Sequence, residues 1–152
     1  MGGILKYLSF QGRSNRKRYW LTVLSICGLF LASALVGAVL QIVPFLSLAV
    51  IPVWVALVIA IFANATRRLH DRNKSAWWLL LFYVVPAILG IPFQLAQYGP
   101  PDGFQALASL LALIGLPFTV WGLVELGFRK GNAGPNRFGE DPLPASEEPA
   151  FA

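Results

Sequence analysis

The chain has 152 residues, of which 57% are hydrophobic and 12% charged, with a formal net charge of +5 and a mean hydropathy of +0.64. A water-soluble domain this small cannot cover so much apolar surface with so few charges, which leaves the bilayer as its surroundings. One cysteine excludes a disulfide scaffold, and the apolar content excludes disorder except near the C-terminus.

The basic residues fall in three clusters separated by apolar runs. Lys6, Arg13, Arg16, Lys17 and Arg18 precede the first run, Arg67, Arg68, Arg72 and Lys74 divide the second from the third, and Arg129, Lys130 and Arg137 follow the last. The pI of 9.8 is therefore read as membrane orientation, and no nucleic-acid partner is expected.

From Tyr19 to Thr66 there is no charge, and about 48 residues in one helix would be roughly 70 Å long, over twice the hydrocarbon thickness. The segment must reverse once, and Pro44 marks the place. The first span is read as about residues 21–43 and the second as about 45–65, with Pro52 expected to kink the second. Ser75 is a candidate N-cap for a third span at about 76–96, which carries Pro86 and Pro92. A turn-rich loop from Gln97 to Gly103, with Asp102 in it, leads to a fourth span at about 104–126. The fold class is all-α: one four-span membrane domain over residues 1–142, followed by a disordered tail, 143–152, with too little apolar content to fold.

With four spans, all twelve Lys and Arg lie on one side, so both termini are expected on the cytoplasmic face. Tyr19-Trp20 and Trp77-Trp78 then sit at the inner ends of spans one and three, as an aromatic belt would. Ala32-Ser33-Ala34 resembles a signal-peptide cleavage site and Leu24-Ser25-Ile26-Cys27 a lipobox. The apolar run continues past the first, and Ile26 fills a position needing a small residue in the second, so an uncleaved helix with a buried Cys27 is preferred. Small residues four apart offer helix contacts: Gly28/Ala32, Ser33/Gly37 and Ala34/Ala38 in span one, Ala56, Ala60 and Asn64 in span two. Gln41 and Gln94 lie near outer ends, and Glu125 is one turn from Arg129, which predicts an interfacial ion pair.

Three motifs lie at the inner ends of the spans. They are Phe10-x-Gly12-Arg13-x-Asn15-Arg16-x-x-Tyr19-Trp20, Arg67-Arg68-Leu69-His70-Asp71-Arg72-x-x-Ser75-x-Trp77, and Gly134-x-Asn136-Arg137-Phe138-Gly139-x-Asp141-Pro142. They resemble the signature segments of a bacterial inner-membrane family known as domain of unknown function 805, which includes the YhaH-like proteins, and the resemblance spans residues 4–142. The family often has Gly where this chain has Asn73 and Ala76. What the resemblance implies is a multi-pass protein of the bacterial inner (plasma) membrane; it implies no reaction.

If the second helix runs on through its loop, Arg67 and Arg68 precede Asp71 by four and three residues, so either can pair with it. Arg68, Asp71 and Arg72 then share a side, while His70 points about 100° away, toward headgroups or the amino-terminal segment. Arg13 and Arg16 reach the same depth, and the tail adds Asn136, Arg137 and Asp141. This polar layer has three readings: arginines paired with Asp71 and Asp141 as a fastening, a site for an anionic headgroup or other phosphate-bearing ligand or a protein partner, or a catalytic centre with His70 as base. Adjacent His and Asp rarely orient each other, and the carboxylates, His and Cys have no ligand spacing, so no catalytic residue, metal or cofactor is assigned. The reading adopted is a non-enzymatic envelope protein that binds anionic lipid, a membrane partner or a second copy through this layer. A transporter or channel component and an enzyme acting on lipid headgroups are the alternatives.

Overall fold

The computed structural model describes residues 5–40, 45, 48–99 and 103–143, and these form helices and turns with one isolated bridge. The expected turn at Pro44, Gln41, residues 100–102 of the Asp102 loop and the tail from residue 144 lie outside the described residues. The chain divides into two compact units, residues 1–74 with 130–152, and residues 75–129.

The first unit contains a short helix α1, Leu5–Leu8, and two long ones, α2, Arg16–Leu40, and α3, Leu48–His70. Asn15 starts α2 as an N-cap: its side-chain Oδ1 accepts the Arg18 N–H at 2.9 Å and its carbonyl accepts the Tyr19 N–H at 2.9 Å. The helix thus starts ahead of the expected residue 21 and takes Arg16, Lys17 and Arg18 into its first turn. In α3 a 3-10 turn, Leu48–Val50, leads into the α-helix Ile51–His70. Pro52 sits in the first turn of that α-helix, where its missing N–H has no partner to lose, so the expected interior kink is corrected to a helix start.

α3 runs past the expected residue 65 to His70 and ends in a Schellman motif. Lys74 N–H donates to Leu69 O at 2.9 Å, Asn73 N–H donates to His70 O at 3.0 Å, and Asn73 adopts φ 55°. Asn is the non-glycine residue that best tolerates this left-handed conformation, which explains how it stands where a glycine is common.

α2 and α3 pack through Ile26, Leu57 and Ala60. Further along, Trp54 Nε1 donates to Ser33 Oγ at 3.0 Å, Trp54 stacks on Phe30 at 5.3 Å, and Asn64 Nδ2 donates to Tyr19 O at 3.1 Å. In α2 the Ser33/Gly37 pair faces α3 and Gly28 does not, since a Cβ on Gly37 would lie 3.5 Å from Val50 Cγ2 whereas one on Gly28 would meet nothing within 4 Å. Cys27 is exposed on the surface of α2, a correction to its expected burial.

The second unit is a pair of helices, α4, Leu80–Ala96, and α5, Phe104–Phe128. Both contain a π segment, Leu80–Val84 and Val124–Phe128. In α4 the cause is Pro86, which cannot donate to the carbonyl four residues back; Val85 N–H reaches Leu80 O instead. The expected Ser75 start is replaced by a run of tight turns in which Trp78, Leu79 and Leu80 N–H groups bond to the carbonyls of Ser75, Ala76 and Trp77. α4 is consequently shorter than expected for the third span. α4 and α5 meet at two glycines: Gly115 lies against Pro86 and Leu89, Gly122 against Phe82. Phe82 and Trp78 also pack edge-on or tilted around Trp121. Arg129 Nη1 reaches the buried Glu125 Oε2 at 3.1 Å, the ion pair that their spacing predicts.

By length and composition α2, α3 and α5 can each cross a membrane, and α4 is a shorter apolar helix. Their outer surfaces expose large apolar side chains, among them Leu24, Leu31, Val39, Ile51, Ile88 and Leu113, as lipid contact requires.

Candidate functional site

The three motifs fold together at the C-terminal end of α3. Gly12, at φ 83°, turns the segment before α2 so that it runs beside that end. Ser14 N–H then donates to Arg67 O at 3.1 Å, and Arg68 Nη1 returns a bond to Ser14 O at 3.3 Å.

Arg13 is the centre of the arrangement. Its guanidinium sits 3.1 Å from Asp71 Oδ1 through Nε and Nη2. The remaining N–H groups go to main-chain carbonyls of the tail: Nη1 to Gly134 O at 2.6 Å and Gly139 O at 3.3 Å, Nη2 to Asn132 O at 2.5 Å. Asp141 Oδ1 lies 3.9 Å away. The fork of five donors that only arginine has is thereby matched to acceptors from two other segments, with a side chain 1% exposed. Asp71 takes Arg68 on its other oxygen.

The tail docks by its backbone. Asn132 N–H donates to Asp71 O at 2.8 Å, and Gly131 passes so near the Asp71 carboxylate that a Cβ would fall inside it. A turn closed by reciprocal 3.0 Å bonds between Asn136 and Gly139 presents Phe138, whose ring stacks on His70 at 3.8 Å. Asn136 Nδ2 donates to His70 O at 2.9 Å. Arg137 lies over the Phe138 ring at 4.6 Å and donates to Asn73 O at 3.2 Å. Asp141 folds the end of this segment by accepting from Gly134 N–H at 2.8 Å and Leu143 N–H at 3.0 Å.

Burial raises the Asp71 carboxyl above its ordinary range, with the Arg68 and Arg13 charges opposing it. Asp141 is lowered, first by the Leu143 N–H bond and then by Gly134 N–H and the Arg13 charge. His70 donates Nδ1–H to Gly12 O at 3.2 Å, so it faces the amino-terminal segment. His70 and Asp71 are therefore turned to different partners and do not form a dyad.

Of the expected residues, Arg13, Arg68, His70, Asp71, Asn136, Arg137 and Asp141 are brought together. Arg16 is exposed on the rim of a 360 Å³ recess shared with Arg68, Asp71, Lys130 and Asp141, and Arg72 is half-buried beside the helix end. Arg67 turns away from Asp71, donating to Ala63 O at 3.3 Å and Tyr7 O at 3.5 Å; of the two candidate partners Arg68 is the one that pairs. Gly131, Asn132 and Gly134 carry the tail's docking through main-chain groups, which side-chain chemistry in the sequence does not reveal. Among the described residues no three His, Cys, Asp or Glu side chains group as metal ligands.

A family model described as "Protein of unknown function (DUF805)" matches residues 7–140. The chain is 30% identical to the inner membrane protein YhaI of Escherichia coli strain K12, over 90% of this chain and 87% of the relative. It is 28% identical to the inner membrane protein YhaH of the same organism, over 90% and 88% respectively. No solved structure matches.

Proposed function

The chain belongs to the DUF805 family of inner-membrane proteins, and from that premise we propose that it is a non-enzymatic four-span protein whose basic layer faces the cytoplasm and engages anionic headgroups. The observation that carries this reading is how the charges are used. Arg13 and Arg68 take up Asp71, and Asp141 is committed to the tail turn, so the fastening absorbs acids as well as bases. Arg16, Lys17, Arg18, Lys130 and Arg137 are exposed at the surface of the layer. A surface of that sign next to apolar helices attracts the anionic leaflet by about 1 kcal/mol per basic residue. The commitment of Asp71 to two arginines and of the His70 ring to Gly12 and Phe138 supports a fastening in preference to a catalytic centre.

The test is melting temperature in nanodiscs with a rising fraction of phosphatidylglycerol in phosphatidylcholine. The expected outcome is a rise with anionic content that salt diminishes. A melting temperature indifferent to the lipid charge would remove the headgroup reading and leave a fastening alone.

A further inference from the structure

Arg67 opens a second cationic place on the side of α3 away from the Asp71 fastening. With Lys17 and Arg18 from the first turn of α2 it lines a cavity of about 430 Å³, which Tyr7, Thr22 and Ser25 help to close. The described residues that line it bring three cations and no carboxylate, unlike the recess around Asp71, where charges of both signs meet. Arg67 is 8% exposed, deep in the wall; Lys17 and Arg18 stand exposed at the rim. Arg18 and Arg67 act on each other as like charges, and an anion between them converts that repulsion into two attractions.

What kind of anion is indicated by the face of α2 that continues from the cavity. Leu21 and Leu29 lie within about 60° of Arg18 around the helix, and both are more than half exposed. Arg18 to Leu29 is roughly 16 Å along the axis, about half the hydrocarbon thickness and so one leaflet. A free phosphate uses only the polar end of this surface; a phospholipid uses both.

We propose that this cavity seats the phosphodiester of one anionic phospholipid, with its acyl chains along the Leu21 and Leu29 face of α2. The seat rests on the membrane placement proposed above and adds to it a defined position and a stoichiometry of one.

The full chain in mild detergent, followed by native mass spectrometry, provides the test. The probes are dioleoylphosphatidylglycerol, dioleoylphosphatidylcholine and inorganic phosphate; the proteins are the parent, Lys17→Gln, Arg18→Gln and Lys130→Gln. The parent is expected to hold one phosphatidylglycerol in preference to phosphatidylcholine. Lys17→Gln and Arg18→Gln should each weaken it about fivefold, the effect of one surface cation, with the melting temperature of the lipid-free protein unchanged because both side chains are exposed. Lys130→Gln, which removes the same charge outside the cavity, should weaken it by less than about twofold, in keeping with screening over a Debye length. Equal losses from Lys130→Gln and Arg18→Gln would show diffuse attraction, overturning the seat while leaving the basic-layer reading in place. No preference for phosphatidylglycerol would overturn both. Inorganic phosphate displacing the lipid at equal concentration would assign the cavity to free phosphate and overturn the lipid.

Discussion

At Asp71 two guanidiniums converge on one buried carboxylate, and its neighbour in the tail has no room for a side chain. Replacing Asp71 with Asn leaves Arg13 and Arg68 facing a neutral amide at sites 1% and 0% exposed. The expected cost is about 3 kcal/mol, because an uncompensated buried charge is worse than no pair at all. Thermal unfolding in detergent measures it, and Gly131→Ala should show a comparable loss for a steric reason. If Asp71→Asn melts with the parent, the pairing is not what holds the tail. Asp141 gives the pH dependence. Its folded pKa is lowered, so its contribution is present above the ordinary carboxylate value and is lost as pH falls through the folded one. Asp71 is raised by burial against the Arg68 and Arg13 charges, so its titration does not add to that acid loss. Stability lost on acidification below about pH 4 should therefore be smaller in Asp141→Asn; an unchanged acid profile in that variant would place the sensitive group elsewhere.

Among the elements, contact is made through small residues at particular positions and not through the small-residue pattern as a whole. Gly37→Leu drives a branched side chain at Val50, and Gly122→Ala puts a Cβ 2.9 Å from Phe82 Cβ; each should cost about 1 to 3 kcal/mol by overpacking. Gly28→Leu should cost little, since open space lies beyond it. Melting temperatures of the three variants decide this, and an equal loss from Gly28→Leu would mean that α2 packs by a different face. Why the sequence left the choice open is clear from these residues: Gly28/Ala32 and Ser33/Gly37 have the same spacing, and only the Trp54 and Val50 side chains across the helix pair distinguish them. Pro52 and Pro86 show the same limit. Both lack a backbone donor, yet one begins a helix and the other widens a turn into a π segment, depending on where the helix has already started.

For the whole molecule, apolar content and the three basic clusters carry the membrane reading without help from tertiary structure, because solvent and lipid impose them residue by residue. The Arg68 pairing with Asp71 was legible too, being local. Arg13 was legible as part of a motif but not as its centre: it is 58 residues from Asp71 and 121 from Gly134, and no periodicity links segments that far apart. Lys17 and Arg18 had the weakest signal, since they look like any basic flank of a membrane helix until Arg67 is found opposite them.

The proposed topology rests on that long-range fastening as well as on charge counting. Arg13 touches Asp71 and the main chain of Asn132, Gly134 and Gly139, so the proposed topology puts the amino-terminal segment, the loop after α3 and the tail on one side of the membrane. In that proposed topology the segments α2–α3 and α4–α5 each cross twice, which gives four spans. For α4, 17 residues at 1.5 Å per residue reach about 25 Å, a little short of the hydrocarbon core and within what local thinning or flanking anchors accommodate. Reporters fused after Gly139 and inserted at Asn73 should accordingly read cytoplasmic, and one at Gly99, beyond the end of α4, should read external. A cytoplasmic signal at Gly99 would mean that α4 and α5 do not span, and two crossings would remain. Opposite signals from Gly139 and Asn73 would contradict the Arg13 fastening itself, since its partners cannot lie on two sides of a bilayer.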